Sequence, residues 1–266
     1  MSGVQVRLGQ LFNPESGRSF ITAFDHGTSL PMPGSGKPME LLKKIVDGGP
    51  EGVLVGPGIL KQGAELFAPR NAPAPVLRAD WTFLDESAKQ ELGERYRVLT
   101  SPSEALALGA QAIVMYLIGR PTDGAMFADN VAAVANAAHE ARVAGIPLIV
   151  EATLWGLRNE DRKDPAHLAN MCRIAAELGA DAIKTEYTGD PATMTEIIDL
   201  VGDIPVFTLG GARGSQDAVA QAAQGAIRSG AKGLIFGRNV WQADDVVATT
   251  KQLLAITHGD VSGDAR

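Results

Sequence analysis

From about residue 17 onward the chain alternates between two textures. Short unbroken apolar runs are each followed by a polar or glycine-rich corner and then by a longer, alanine-rich stretch of helical character. The runs are SFITAFD (19–25), GVLVG (52–56), PVLRAD (75–80), AIVMYLIG (112–119), PLIVEAT (147–153), DAIKTEY (181–187), PVFTLGG (205–211) and GLIFGRN (233–239). Several are entered through a helix that ends in glycine, as in LALGAQAIV, ARVAGIPLIV, AAELGADAIK and AIRSGAKGLIF, where glycine suits the left-handed position that closes a helix. Continuous rather than alternating apolar runs predict parallel strands covered on both faces. Eight such units in 266 residues predict an α/β chain folded as a single (β/α)8 TIM barrel, in preference to an open doubly wound sheet. One domain is expected to span 1–266, with a short extension before about Gly17 and a polar tail after Ile256 that frays. In such barrels chemistry sits at the C-terminal ends of the strands, and phosphate often binds at the loops after strands seven and eight.

Composition narrows the partners. The chain is 45% hydrophobic and 21% charged, the balance of an ordinary globular protein, and its formal charge of −7 argues against a nucleic-acid surface, which needs clustered cations. An anionic small molecule stays compatible, since one pocket can be positive on an acidic protein. Cys172 is the lone cysteine, so neither an intrachain disulfide nor a thiolate metal cluster is possible. The opening MSGVQVRLGQLF has no apolar core of the signal-peptide kind, and no run approaches the ~18 apolar residues of a membrane helix. A cytoplasmic chain without membrane contacts is expected.

Candidate chemistry appears where charge interrupts the strands. Side chains alternate faces along a strand, so Ala182, Lys184 and Glu186 share one face of AIKTE while Ile183, Thr185 and Tyr187 face the helices. An inward Lys184, partly desolvated, suits imine formation with a carbonyl; a structural ion pair is the plain alternative. Ile149, Glu151 and Thr153 share the inward face of the preceding strand, which sets Glu151 beside Lys184, as a proton carrier or as its structural partner. Asp25, at the tip of the first strand, could hold the lysine charge, bind a substrate hydroxyl or cap the next loop. His26 beside it reads more simply as a histidine that satisfies loop backbone. Arg78 and Asp80 share a face of the third strand, and Arg120 follows Gly119 at the end of the fourth. After the seventh and eighth strands, TLGGARGS offers Gly210, Gly211 and Arg213, and FGRN offers Gly237 and Arg238, a pair of loops suited to an anion.

The motifs KTEYTGD (184–190), LGG (209–211), GRNVWQ (237–242) and FDHG (24–27) resemble those of the archaeal-type class I fructose-bisphosphate aldolases, within the deoxyribose-phosphate aldolase superfamily. The opening RLGQLFNPESG (7–17) with AFDHG (23–27) also resembles a relative, the thiolase that degrades phosphorylated autoinducer-2. The resemblance implies a Schiff-base lysine at Lys184, the first-strand aspartate at Asp25 and phosphate-binding elements at Gly210, Gly211, Gly237 and Arg238. It departs in the fifth strand, where EATLWG stands in place of a WMYPRG-like run and Thr153 occupies the position of a tyrosine acid. The expected function is therefore a class I aldolase acting on a phosphorylated ketose or similar keto compound, with Lys184, Glu151 and Asp25 catalytic. Arg78, Asp80, Arg120 and His26 join the substrate contacts, the arginines suggesting a second anionic group. Acyl transfer by the same lysine, or phosphosugar binding without catalysis, are the alternatives. No cofactor or metal is expected, because the imine supplies the electron sink. The resemblance further implies a homo-oligomer, a decamer of two stacked rings being the arrangement it suggests.

Overall fold

The apolar runs become strands whose two faces are both covered. The computed structural model describes residues 2–30 and 36–259. Eight parallel strands, β1 (Ser19–Phe24), β2 (Gly52–Val55), β3 (Ala74–Arg78), β4 (Ala112–Ile118), β5 (Leu148–Thr153), β6 (Ala182–Glu186), β7 (Val206–Leu209) and β8 (Gly233–Phe236), close into a barrel in which each pairs with the next and β8 pairs with β1. Every residue of seven of these strands is buried, and only the first two of β3 are partly open, which is why none of the runs alternates. The outward residues pack beneath the helix ring. The inward ones, Ile21, Leu54, Val76, Val114, Ile149, Ala182, Phe207 and Ile235 among them, fill the barrel itself.

Turn chemistry sets where each helix starts. Asp164, Asp190, Ser215 and Asp245 each accept a hydrogen bond from the backbone amide three residues on, and so cap the helices Pro165–Glu177, Pro191–Leu200, Gln216–Arg228 and Val246–His258. After β3 the chain departs from the simple repeat: Asp80–Thr82 pairs antiparallel with Tyr96–Val98, a flap outside the barrel. No apolar periodicity announces this excursion, because the flap strands are three residues long.

The N-terminal extension has a definite job. Ser2–Gly9 is helical, and Leu8, Leu11 and Phe12 pack onto the inward residues at the N-terminal end of the strands, with the Phe12 and Phe207 rings 5.6 Å apart. This plugs the floor of the barrel. The expectation of fraying after Ile256 needs correction at Thr257 and His258. The last helix runs to His258; Thr257 is fully buried, and His258 bonds the Ser16 hydroxyl at 2.7 Å and pairs with Glu51 at 3.0 Å. Residues 260–266 of that tail lie outside the described residues. Among the described residues no helix is long and apolar enough to cross a membrane.

If the floor plug is a structural element, Leu11→Ala should cost about 3 kcal/mol, the usual range for opening a cavity at a fully buried leucine. Val6→Ala, at an exposed position of the helix that precedes Leu11, should cost under about 0.5 kcal/mol. Urea unfolding of both variants checks this; equal losses would remove the plug from the stability of the barrel.

Candidate active site

Strand register brings the charged residues into one layer. Arg78, Glu151 and Lys184 alternate with the barrel-filling residues Val76, Ile149 and Ala182, so all three point inward, and Glu151 lies directly across from Lys184 in the β5–β6 ladder. The Lys184 amine meets Glu151 Oε1 at 2.6 Å. The other Glu151 oxygen, Oε2, accepts from Arg78 Nη2. The same guanidinium donates through Nε to Asp25 Oδ2 at 2.8 Å and lies 3.5 Å from Asp80 Oδ1. Glu151 and Lys184 thus meet at the C-terminal end of the barrel, Asp25 is linked to Glu151 through Arg78, and all three are almost wholly buried.

Electrostatics follows from that packing. Burial by itself raises the Asp25 carboxyl, but the cations of Arg78 and Lys184 and the hydrogen bond from Arg78 outweigh it and hold it at about 2, so Asp25 is a fixed anion. Burial also disfavours the Arg78 cation, yet Tyr116, Glu151, Asp25 and Asp80 surround it and keep it protonated. Asp80 differs: burial pushes its carboxyl up to about 7 despite Arg78 and the Tyr116 amide, which donates to its Oδ2 at 2.6 Å. His26, 3.5 Å from Asp25 and against the Trp241 ring, is held below its usual range by burial and by the nearby cations Lys184 and Arg238. It is a neutral side chain at the mouth rather than a loop support alone.

The loops after β7 and β8 are tied together by one side chain. Asn239 donates from Nδ2 to the Gly210 carbonyl at 2.6 Å and accepts the Gly214 amide at 2.9 Å. Glycine is needed at two places here. Gly211 takes φ +65°, and a Cβ on Gly237 would collide with the His26 ring and sit 2.8 Å from the Ala23 carbonyl. Arg238 is half-buried; desolvation lowers its affinity for a proton, and its Nε is sealed from solvent without a partner, the condition of a donor set to meet an anion.

Four expected residues stand elsewhere or play a different part. Arg120, at φ 58°, sends its guanidinium to His167 Nε2 at 2.8 Å on the outer surface and does not reach the cluster. Arg213 is exposed and lies 3.8 Å from Asp244, beside a cleft between the last two long helices. Arg78 and Asp80 are inside the site, but their polar groups are engaged by protein, which removes them as free contacts for a distant substrate anion.

The sequence reading passed over Tyr116, Trp155 and Glu186. Tyr116 shares the inward parity of Val114 and faces Arg78, with the guanidinium carbon 3.7 Å from its ring centroid. Parity alone would have found it. The Trp155 ring lies tilted against Tyr116, 5.7 Å between centroids, and donates to Glu186 Oε1 at 3.0 Å, a pairing between the loop after β5 and the end of β6 that no local pattern signals. Burial raises the Glu186 carboxyl, which the indole donor partly offsets. Among the described residues no group of three or more His, Cys, Asp and Glu is arranged to hold a metal ion.

The chain as a whole is similar to known proteins. A family profile described as DeoC/LacD family aldolase matches residues 19–243. The class 1 fructose-bisphosphate aldolase of Thermoproteus tenax is 31% identical over 252 residues, covering 91% of this chain and 90% of its own. The 2-amino-4,5-dihydroxy-6-oxo-7-(phosphonooxy)heptanoate synthase of Streptomyces griseus is 30% identical over 257 residues, covering 95% and 89%. Among solved structures, an archaeal fructose-1,6-bisphosphate aldolase with its catalytic lysine bound to the carbinolamine intermediate superposes with a TM-score of 0.82 at 27% identity, covering 96% of this chain and 99% of that one.

The raised Asp80 carboxyl makes a signed prediction. A group whose folded value lies above its unfolded 3.8 favours the fold below about pH 4, and that contribution is lost as pH rises toward about 7. Asp80→Asn, uncharged throughout, should lack this loss, so its melting temperature relative to the wild type should climb between about pH 4 and pH 7. Parallel melting curves across that window would show that Asp80 is not protonated in the fold.

Proposed function

The chain belongs to the DeoC/LacD aldolase family and is a lyase of the class I, lysine Schiff-base type; on that premise we propose that Lys184 forms the imine and that the substrate is a phosphorylated ketose or a related phosphorylated keto compound. The observation that carries this reading is the Lys184 amine, 2.6 Å from Glu151 at the mouth of a barrel whose β7 and β8 loops frame Arg238. The two relatives named above act, by their names, on different phosphorylated compounds, so the family supports the phosphate and leaves the remainder of the substrate to this site.

Each step has a residue suited to it. Glu151 takes a proton from Lys184, which frees the amine to attack the substrate carbonyl and give a carbinolamine. Glu151 then returns a proton to the departing hydroxyl as water, and the protonated imine forms. The imine withdraws electrons as the carbon–carbon bond breaks, leaving an enamine on Lys184 and releasing an aldehyde. Asp25, a fixed anion, stabilises the positive charge that accompanies the imine. Gly210, Gly211 and Gly237 let backbone approach the phosphate, and Arg238 supplies the charged donor. Arg213 serves as an outer, solvent-screened attraction for the anion. The same lysine could support acyl transfer, and the product formed separates the two reactions.

Borohydride reduction in the presence of fructose 1,6-bisphosphate and dihydroxyacetone phosphate tests the assignment. A stable adduct located on Lys184 by mass spectrometry is expected, with release of a triose phosphate; Lys184→Ala should give neither. Glu151→Gln should slow imine formation, read as the rate at which the borohydride-trapped adduct accumulates, by about 100-fold or more. An adduct on another lysine, or none with any phosphorylated keto compound that binds, would sink the reading.

A further inference from the structure

Both oxygens of Glu151 have a protein partner in this site. One oxygen holds Lys184 and the other holds Arg78, so the carboxylate is fixed beside the amine and at the carbon that becomes the imine, its place in the proton transfers of that step. An aldol reaction needs a second proton donor. When the carbon–carbon bond forms, the aldehyde oxygen becomes an alkoxide and must receive a proton there, on the oxygen of the carbon next to the one that attacks. Asp25 is a fixed anion engaged with Arg78, and Asp80 is capped by the Tyr116 amide. Thr153 is fully buried with its hydroxyl sealed from solvent, and a threonine hydroxyl is in any case a very weak acid.

Tyr116 has the missing chemistry in the right place. It stands directly across from Glu151 in the β4–β5 ladder, as Glu151 stands across from Lys184, so a line of three inward residues runs Tyr116, Glu151, Lys184 at one height of the barrel. With neighbouring strands about 4.8 Å apart, phenol and amine rise from backbones about 10 Å apart. Tyr116 lies on the β4 side of Lys184, whereas the phosphate loops lie on the β7 and β8 side. A phosphorylated substrate bonded to Lys184 therefore extends its other half toward Tyr116. The ring is fixed on one side by the Arg78 guanidinium and on the other by Trp155. The hydroxyl is the exception to this packing: it bonds no described residue and is not among the polar atoms sealed from solvent.

We propose that the Tyr116 hydroxyl gives its proton to the aldehyde oxygen as the new carbon–carbon bond forms, a role that rests on the Schiff-base reading of Lys184. The enamine carbon on Lys184 attacks the aldehyde carbon, the carbonyl π electrons move to oxygen, and that oxygen takes the phenolic proton. The phenolate faces the Arg78 cation and recovers its proton from water at the mouth. In cleavage the sequence reverses: solvent withdraws the phenolic proton, the phenolate accepts that of the substrate hydroxyl, and the bond to the aldehyde breaks. Burial and the carboxylates of Asp25, Glu151 and Asp80 keep the phenol protonated in the resting site, against the pull of Arg78.

Tyr116→Phe keeps the ring, the contact with Arg78 and the contact with Trp155, and removes the proton alone. Two readouts that need Lys184 but no aldehyde serve as controls: borohydride trapping of dihydroxyacetone phosphate, and exchange of its carbon-bound hydrogen with deuterated water through the enamine. Both should stay within threefold of wild type in Tyr116→Phe, while condensation with glyceraldehyde 3-phosphate, or with whichever aldehyde of a phosphorylated and free panel the wild type accepts, falls at least about 100-fold. Condensation within threefold of wild type would overturn the proposal, as would trapping and exchange that fall in step with condensation, the mark of a merely structural residue. A wild type that is trapped yet condenses no aldehyde leaves Tyr116 no step to serve and counts against it. Failure of the wild type to be trapped at all strikes the Schiff-base reading first, and the Tyr116 role with it.

Discussion

One buried guanidinium organises the mouth of this barrel. Arg78 reaches from β3 to Asp25 on β1, to Asp80 on the flap and to Glu151 on β5, and lies on the Tyr116 ring of β4. A cation taken out of water costs several kcal/mol, and only such a complete set of anionic partners offsets that cost. The dependence is mutual, since the carboxylates would be equally costly without it. The fold thus gathers three acidic groups beside Lys184 around a single shared cation.

That arrangement divides labour between the two oxygens of one carboxylate. Arg78 fixes the rotamer of Glu151 through Oε2, so Oε1 is delivered to Lys184 with little freedom left to lose on reaction. Asp25 is fixed through a different nitrogen of the same guanidinium. Positioning by a shared cation makes the site rigid where protons move. The opposite rim is built from backbone and a half-buried arginine tied by Asn239, which suits an anion bound through many weak donors rather than one strong one.

The barrel and its reactive pair were legible in the sequence because both rest on local rules. Unbroken apolar runs entered through glycine mark buried parallel strands, and period-two alternation turns Lys184 and Glu151 inward. The fates of Arg78 and Arg120 were not legible, since a long flexible side chain finds its partner in three dimensions; one turned into a triad of carboxylates and the other out to His167. The flap after β3 escaped notice because its strands are too short for periodicity to register. Tyr116 was hidden by its own hydrophobicity: in AIVMYLI a tyrosine reads as one more core residue, and only its parity and the company of Arg78 distinguish it.

The Leu11 and Phe12 plug gives the barrel a closed base and therefore a single doorway. Substrate and both products must share it. In the proposed reaction the keto half stays covalently tethered to Lys184 and anchored by its phosphate, so the aldehyde is the half able to depart first, and the tethered half follows only after hydrolysis of the imine. A plug at the far end of the barrel thereby sends all traffic through one mouth, where the tether on Lys184 sets the sequence of release.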